Sequence, residues 1–243
     1  MRESYRAAYL ARSRMPVFRR RVREARDAIR EFISRCERPY AAFSGGKDSL
    51  AMLILLSRMG YTDVPVFTQA DDLDWPDKEE FCRETVRRLG FTDYSYEFSE
   101  VSAIDQLVEG RGEVSGTFSH VVRRYVRERN RDGVLMALRA EESLGRGWLR
   151  RTRGRIYEAG GELRCIPLAD WKGEDVFALI VATDTPYMHV YDRDDELPPH
   201  KIRFSWMVSP EFFHDGSVAF LKRHYPERFN HLCRIYPEAR RYV

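Results

Sequence analysis

Six consecutive residues of this sequence have types and an order that suit phosphate chemistry: Ser44, Gly45, Gly46, Lys47, Asp48 and Ser49. They follow a short apolar run, 40–43, and precede a segment with helical apolar spacing, 50–59, which predicts a strand, a tight turn and a helix. Backbone N–H groups at the positive end of a helix dipole favour a bound phosphate. The glycines allow close approach, Lys47 adds positive charge, the serines add hydroxyl donors, and Asp48 is suited to hold Mg²⁺. The pattern therefore predicts a nucleotide-handling enzyme.

This loop differs from the Walker A phosphate loop, which has four residues between its first glycine and a Gly-Lys-Ser/Thr end. Here the two glycines are adjacent, and Asp48 separates Lys47 from Ser49. The structural alternative is an ordinary Gly-Gly turn. The pattern resembles the Ser-Gly-Gly-x-Asp-Ser pyrophosphate loop (PP-loop) of the adenine nucleotide alpha hydrolases, and this resemblance implies that ATP or a relative reacts at its α-phosphate.

Length and composition narrow the class of protein. The 243 residues suit one domain with additions, and a hydrophobic content of 43% is ample for a packed core. No apolar run reaches the roughly 20 residues that cross a bilayer, and the first residues lack the apolar stretch of a signal peptide. The cysteines are scattered, at Cys36, Cys82, Cys165 and Cys233, and form no disulfide framework or Cys-x-x-Cys site. We expect no membrane association, no iron–sulfur cluster and a cytoplasmic location.

The charge of the chain is small overall and uneven along it. The net charge is +3, yet residues 2–38 hold twelve arginines against five acids, and residues 120–155 hold eleven against four, which leaves +7 in each segment. Two interpretations stay open. The Arg-rich residues 12–38 and 120–155 are either solvated helix faces or a surface for nucleic acid or an acidic protein partner. A homo-oligomer is also compatible with the sequence.

Apolar periodicity predicts strands that alternate with helices. The predicted helices cover about 16–36, 48–59, 77–89, 101–109, 118–130, 172–182, 217–224 and 226–235, and the predicted strands cover about 40–43, 64–68, 94–98 and 133–138. We expect a loop or hairpin at 144–162 and irregular chain at 183–210. Such alternation is typical of an α/β fold with a doubly wound, mostly parallel sheet and helices on both faces.

In such folds, ligands bind beyond the carboxyl ends of the strands. Ser44, the stretch Gln69–Asp74 and Arg139 each follow a predicted strand, so we expect them to converge on one crevice. We divide the chain into a basic helical extension (1–38), a nucleotide-binding domain (39–192) and an irregular and helical C-terminal extension (193–243).

Two later segments, 137–146 and 166–176, contain further residues to be considered for the site. In 137–146, Arg139 and Arg146 flank Ser143 after a predicted strand, which suits a bound polyanion. In isolation, an exposed capping sequence with ion pairs is the simpler interpretation. In 166–176, Asp170 suits a helix cap and Asp175 its first turn, which is typical of a docking helix without chemistry.

Together, the three segments resemble the phosphoadenosine phosphosulfate (PAPS) reductase family. Its members show Ser-Gly-Gly-Lys-Asp-Ser, Gly-Leu-Arg-x-x-x-Ser-x-x-Arg and Pro-Leu-x-Asp-Trp-x-x-x-Asp-Val in this order. The match spans about residues 39–192, with alanine at position 137 in place of the usual glycine. The resemblance implies a doubly wound, adenine nucleotide alpha hydrolase-like fold, which binds ATP or a PAPS-like adenine nucleotide with Mg²⁺. The helical N- and C-terminal extensions predicted from the apolar periodicity are added to this fold.

The resemblance also implies roles for single residues. Lys47, Asp48, Arg139 and Arg146 would be catalytic, with the loop 44–49 on the phosphates and the two arginines on the remaining anionic groups. Ser143 would add to nucleotide binding, and the backbone after Phe67 would bind adenine. Asp71 or Asp72 would lie near ribose or metal, and Asp48 would be the metal ligand.

One family feature has no counterpart here. Reductases of the family carry a catalytic cysteine in a Glu-Cys-Gly-x-His motif, because sulfonucleotide reduction needs a thiol nucleophile. The late cysteine of this chain, Cys233, follows His231-Leu232 and precedes Arg234. The nucleotide-binding subunit of ATP sulfurylase and the sulfur-transfer ATP pyrophosphatases, including those linked to DNA phosphorothioation, fit better.

The primary hypothesis is attack at the α-phosphate of ATP in sulfur metabolism or sulfur transfer, with release of pyrophosphate. Two alternatives stay open. One is a non-catalytic nucleotide-binding subunit of a sulfurylase or a DNA-modification complex. The other is a divergent sulfonucleotide reductase that uses Cys233, for which a buried packing cysteine is the simpler interpretation.

Overall fold

In the computed structural model of the protein, the described residues are 1–71, 74–75, 77–99, 115–192, 197–202 and 217–243. They fall into two compact units. Unit 1 comprises Met1–Thr68, Asp77–Tyr96 and Tyr125–Phe204, and unit 2 comprises Gln69–Pro76, Glu97–Arg124 and Ser205–Val243.

Helices and strands alternate along the chain. The helices are α1 (Glu3–Ser13), α2 (Pro16–Arg35), α3 (Lys47–Arg58), α4 (Lys78–Arg88), α5 (Ser115–Glu128), α6 (Leu144–Arg153), α7 (Gly173–Ala182), α8 (Ser217–His224) and α9 (Pro226–Ile235). The strands are β1 (Pro39–Ala42), β2 (Val66–Ala70), β3 (Tyr94–Phe98), β4 (Gly133–Leu135), β5 (Ile156–Ala159) and β6 (Glu162–Cys165). Short 3₁₀ turns cover Ala140–Glu142, His189–Asp192, Pro199–Lys201 and Pro237–Tyr242.

The six strands form one sheet in the order β3-β2-β1-β4-β6-β5. Strand β1 pairs in parallel with both β2 and β4, with Ala41 opposite Val66 on one side and Leu135 on the other. The chain therefore moves outward from β1 to β3 and then returns to the opposite side. This reversal creates a topological switch point between β1 and β4, where ligands bind in open α/β sheets.

The outer strand on the β6 side is antiparallel. β5 and β6 form a hairpin in which Ala159 pairs with Glu162. Gly160 and Gly161 make the turn with φ values of +65° and +80°, a geometry that suits the two-residue hairpin turn matching the twist of the strands.

Burial of apolar faces positions these elements. Helix α3 is apolar around its whole circumference, and Leu50–Leu56 are all buried, as expected for a helix enclosed in the core. Helix α2 is amphipathic, with Ala25, Ile29 and Phe32 buried and arginines on its other side. Helix α7 contacts both α1 and α3.

Much of the predicted organisation is confirmed. The fold is α/β with a mostly parallel sheet. The four predicted strands are present, β3 with the predicted bounds and β4 ending earlier, at Leu135. Two features differ: α1 was not predicted, and residues 144–153 form helix α6 where we expected a loop or hairpin. The predicted helix 101–109 lies outside the described residues.

Unit 2 is held by aromatic and ionic contacts. The rings of Trp75 and Tyr225 lie 4.5 Å apart between centroids, and the Arg228 guanidinium lies over Trp75 at 5.9 Å. Arg124 donates to Glu97 at 3.1 Å. Within the described ranges of both units, no helix has the length and apolar character that a membrane span requires.

Candidate functional site

The loop 44–49 is a tight turn between β1 and α3. Gly45 has a φ of +80°, a value that disfavours a side chain. Ser44 Oγ lies 3.0 Å from Ser49 Oγ and accepts the Gly46 N–H at 3.3 Å. Ser49 Oγ in turn donates to the Gly46 carbonyl at 3.0 Å. The two serines therefore bind the loop to itself and fix its shape.

This turn leaves backbone donors available at the start of α3. The Lys47 N–H donates to Tyr191 Oη at 2.9 Å. By contrast, the N–H groups of Gly45, Asp48 and Ser49 have no acceptor among the residues that the structure describes. Unpaired N–H groups in the first turn of a helix carry partial positive charge, so they form a cradle for an anion.

Lys47 lies beneath the loop rather than in solvent. Its side chain is 5% exposed, and its Nζ lies 3.2 Å from Asp48 Oδ2 and donates to the Ile202 carbonyl at 3.2 Å. The Nζ also lies over the Tyr191 ring at 5.5 Å. Burial raises the pKa of Tyr191 well above its ordinary value, so its hydroxyl stays neutral. A positive charge is therefore fixed beside the cradle.

Arg139 is brought to the loop by β4, as the sheet order predicts. Its Nε donates to Asp48 Oδ1 at 2.6 Å, its Nη1 contacts Glu141, and its Nη2 lies 3.5 Å from Glu142 Oε1. The side chain is 4% exposed. Burial lowers the pKa of Arg139, but the carboxylates, Asp48 foremost, outweigh burial and hold the pKa above its ordinary value. All three nitrogens of this guanidinium thus face carboxylates.

Arg146 is more accessible. Its side chain is 41% exposed, and its Nη1 contacts Glu142. Ser143 caps α6, because its Oγ accepts the Arg146 N–H at 3.2 Å. Ser143 therefore has a structural role in this structure, and Arg146 is the arginine of the pair that can meet an incoming anion.

The third segment is joined to the same network. Glu141 Oε1 accepts the Gly173 N–H at 2.7 Å at the start of α7, and Glu141 Oε2 lies 3.3 Å from Lys172 Nζ. Burial raises the pKa of Glu141, but Arg139 and the Gly173 N–H outweigh burial and keep it below its ordinary value. Glu141 thus links Arg139 to helix α7, so the three motifs meet in unit 1.

The structure buries Phe67 within the sheet and places Asp71 directly after β2. The Phe67 carbonyl accepts the Phe43 N–H at 2.8 Å, and the Phe67 ring is buried and stacks on Tyr125 with centroids 4.2 Å apart. Asp71 follows the end of β2 in unit 2, and its N–H donates to Asp74 Oδ2 at 2.9 Å. Asp72 lies outside the described residues. No cluster of three potential metal-ligating side chains occurs in the described part of the chain.

Comparison with known proteins decides the family. Residues 38–196 match the phosphoadenosine phosphosulfate reductase domain. The chain belongs to this family. Among curated proteins, none matches the sequence. The PAPS reductase domain thus includes the loop 44–49, the segment around Arg139 and the start of α7.

Solved structures agree on the fold. A phosphoadenylyl-sulfate (PAPS) reductase from Candida auris, in a phosphate complex, superposes with a TM-score of 0.53 at 16% identity, over 70% of this chain and 84% of that chain. Yeast FAD synthetase in complex with FAD superposes with a TM-score of 0.56 at 15% identity, over 77% and 68%. At these identities, the likeness shows a common fold.

Several contacts at the site were not predicted from the sequence. The capping interpretation of 137–146 includes ion pairs on an exposed segment, but not the pairing of Glu141 and Glu142 with a buried Arg139. Tyr191 and Ile202 reach Lys47 from more than 140 residues away. No local pattern indicates such long-range contacts.

Proposed function

We propose that the chain binds ATP or a related adenine nucleotide through the loop 44–49 and catalyses attack at the α-phosphate with release of pyrophosphate. The observation that carries this proposal is the cradle of unpaired N–H groups on Gly45, Asp48 and Ser49 beside the buried charge of Lys47. Membership in the PAPS reductase domain family supports an adenine nucleotide as the ligand.

The proposed chemistry needs charge stabilisation rather than a protein nucleophile. An acceptor attacks the α-phosphorus, the bond between the α-phosphorus and the bridging oxygen breaks, and pyrophosphate leaves with the electron pair. Fixed donors that face the developing charge stabilise such a displacement. The loop N–H groups would bind the leaving pyrophosphate, and the buried charge of Lys47 beside them would stabilise it electrostatically.

The two arginines take different parts in this proposal. An anion could reach Arg139 only by displacing a carboxylate, so we assign Arg139 to positioning Asp48. Arg146, which is 41% exposed, would contact the anionic acceptor directly. Adenine binding by the backbone after Phe67 and a role for Asp71 or Asp72 near ribose stay predictions.

A magnesium ion at Asp48 does not fit the arrangement seen here. Mg²⁺ is often held by one or two carboxylates together with nucleotide phosphates. Both carboxylate oxygens of Asp48 already face cations, Arg139 Nε at 2.6 Å and Lys47 Nζ at 3.2 Å. A divalent cation would be repelled by these charges, so the proposed displacement depends on the loop N–H groups and Lys47 instead.

Pyrophosphate release from ATP tests the proposal. We expect release by the wild-type protein with a suitable anionic acceptor and at least about a 100-fold lower kcat/KM for Lys47→Ala, the loss expected when one stabilising donor is removed. Sulfate, phosphosulfate esters and nucleic-acid phosphates are the acceptors to compare. Lys222→Ala, on α8, is the matched control and should release pyrophosphate as the wild type does.

Two results would contradict the proposal. One is the absence of release and of ATP binding in calorimetry with every acceptor. The other is equal release by the wild type and Lys47→Ala, with the Lys47→Ala protein folded by circular dichroism. ATP binding without release would instead favour a nucleotide-binding subunit and would remove the catalytic part of the proposal.

A further inference from the structure

Helix α6 presents an exposed apolar and aromatic pair to solvent. Leu144 and Trp148 are one helical turn apart and are 93% and 58% exposed. No residue of α6 is buried. Arg151 follows Trp148 by three residues, lies on the same face and has no ion-pair partner in the described part of the chain. The adjacent Leu144 and Trp148 form an exposed apolar patch, which is a candidate interaction surface.

The charge around this pair is positive. The segment 143–157 contains five arginines, Arg146, Arg150, Arg151, Arg153 and Arg155, and no acidic residue. Arg153 donates to the Glu158 carbonyl and has no ion-pair partner among the described residues. An aromatic side chain among arginines is suited to a ligand with both anionic groups and flat rings.

Helix α2 extends this positive surface. Asp170 forms ion pairs with Arg150 at 2.8 Å and with Arg155 at 2.6 Å. Arg155 also pairs with Glu24 of α2 at 2.7 Å. This chain of ion pairs joins α6 to α2. The exposed side of α2 carries further arginines without an ion-pair partner among the described residues: Arg19, Arg23 and Arg26.

We propose that α6, with the adjoining arginines of α2, binds single-stranded nucleic acid. Trp148 stacks on a base, Leu144 packs beside it, and Arg151 with the α2 arginines neutralises phosphates. Base–aromatic stacking together with a basic track is the usual means by which proteins hold single strands. The surface contains none of residues 44–49, and neither Trp148 nor Arg151 has a part in the proposed nucleotide chemistry, so their substitution tests the surface separately from that site.

The positive charge of the surface and the short length of α6 favour nucleic acid over a membrane as its ligand. Interfacial helices insert a continuous apolar face into lipid, whereas α6 is only ten residues long and exposes two large apolar side chains. Arg19, Arg23 and Arg26 lie together on α2, beside Asp27. They add positive charge beyond the ion pairs that link α2 to α6, which matches a long polyanion better than a single anionic group.

Fluorescence anisotropy with labelled oligodeoxythymidylate, in the absence of nucleotide, tests the proposal on the full chain. We expect salt-dependent binding by the wild type. Trp148→Ala should weaken it about 5-fold to 100-fold, which is the fold-change for the loss of one stacked base. Trp148→Phe should restore most of the affinity, and Arg151→Ala should lower the salt slope by about 1.

Matched controls come from other surfaces. Phe98→Ala removes another exposed aromatic side chain, and Arg58→Ala removes another exposed arginine. Both should bind as the wild type does. Because Trp148 is exposed and α6 has no buried residue, the Trp148 variants should keep the wild-type melting temperature.

The proposal is overturned by any of four results. They are no binding by the wild type, equal binding by Trp148→Ala and the wild type, tighter binding of duplex than of single strands with no effect of Trp148→Ala, and binding to anionic phospholipid vesicles with none to oligonucleotide. Concentration-dependent dimerisation that Trp148→Ala abolishes, with oligonucleotide affinity unchanged, would assign the surface to a second copy of the chain instead.

Discussion

Asp175, in the first turn of α7, is a fully buried carboxylate with several cationic and N–H partners. Arg12 Nε donates to its Oδ1 at 2.8 Å, Arg21 Nη1 contacts its Oδ2, and the Lys172 N–H donates to its Oδ2 at 2.8 Å. The two arginines come from α1 and α2. Asp175 therefore ties both N-terminal helices to the helix that follows the Asp170-Trp171 motif.

Removing this carboxylate should be costly. Asp175→Ala leaves two guanidinium groups without their buried partner, so we expect a loss of about 3–5 kcal/mol in the free energy of unfolding. Urea denaturation followed by circular dichroism measures the loss. Glu174→Ala is the control. The carboxylate of Glu174 is adjacent in sequence to Asp175 but is 50% exposed, so its removal should change stability little. Equal effects of the two substitutions would show that the Asp175 ion pairs do not stabilise the fold.

Sequence alone placed Asp175 at a helix start but not in a buried ion-pair cluster. Its partners, Arg12 and Arg21, lie 163 and 154 residues away. The sequence indicates a solvated face or a partner surface for the arginines of the N-terminal segment, whereas Arg12 and Arg21 have a buried structural partner. Arg19, Arg23 and Arg26 on α2 are exposed. The net charge of the segment therefore does not distinguish arginines that pair with a buried carboxylate from arginines that face solvent.

At the scale of elements, α2 packs closely on the start of β4. A Cβ atom on Gly133 would lie 2.4 Å from Cys36 Sγ and 2.9 Å from Phe32 Cζ. The Phe32 ring is fully buried and cannot easily move. The absence of a side chain at position 133 therefore sets how closely α2 approaches the sheet.

Gly133→Ala should destabilise the fold by about 1–3 kcal/mol, because the added methyl group overpacks the interface. Gly145→Ala, in the exposed first turn of α6, has no atom within 4 Å of its added Cβ. That substitution should leave stability unchanged or raise it by up to about 1 kcal/mol, since alanine favours the helix. Thermal unfolding of both variants makes the comparison. An unchanged melting temperature for Gly133→Ala would mean that α2 can move away from β4 at little cost.

The elements were predictable where their apolar pattern was strong. β3 and α3 have clear periodicity and were found within a residue or so of the expected bounds. Helix α6 was missed because Gly145, Gly147 and Gly154 indicate a loop, whereas the Ser143 cap favours a helix. Since none of its residues is buried, α6 also lacks the apolar stripe that identifies a buried helix.

At the scale of the whole chain, a hydrogen bond joins α1 to the segment after the family domain. Tyr9 Oη lies 2.9 Å from His200 Nδ1 and accepts the His200 N–H at 3.3 Å, 191 residues along the chain. The charged groups around His200 are Glu174, Lys201, Glu141 and Lys47. Burial is the largest influence on the imidazole and lowers its pKa below the ordinary value.

This shift predicts a loss of stability in mild acid. A histidine whose pKa is lower in the folded chain binds fewer protons there than in the unfolded chain, so falling pH favours unfolding. The contribution of the neutral His200 imidazole to the free energy of unfolding is fully present above about pH 7. It is lost as the pH falls through about 6.5 toward the lower pKa of His200 in the folded state. Melting temperatures of the wild type should therefore drop between about pH 7 and pH 5.5.

His200→Gln should flatten this pH dependence, because glutamine does not titrate. His231→Gln, at an exposed position of α9, is the matched control and should retain it. If His200→Gln and the wild type lose stability in parallel, other groups govern the acid sensitivity.

The site was predictable in outline because the sheet order follows from the alternation of strands and helices. Ser44 and Arg139 follow neighbouring parallel strands, and Arg139 lies 2.6 Å from Asp48 as that order implies. The internal pairing of Arg139 with three carboxylates depends on side-chain packing, which strand order does not determine. The contacts of Tyr191 and Ile202 with Lys47 depend on the path of the chain at the end of the domain and just beyond it.

The β5–β6 hairpin has a consequence for association between molecules. An uncovered parallel strand would offer a row of backbone donors and acceptors on which a strand of another molecule could add. Here the edge is β5, a four-residue antiparallel strand preceded by the arginines of α6. Short edge strands flanked by positive charge resist such addition. The hairpin closed by the Gly160–Gly161 turn thus places β5 at this edge of the sheet and disfavours aggregation there.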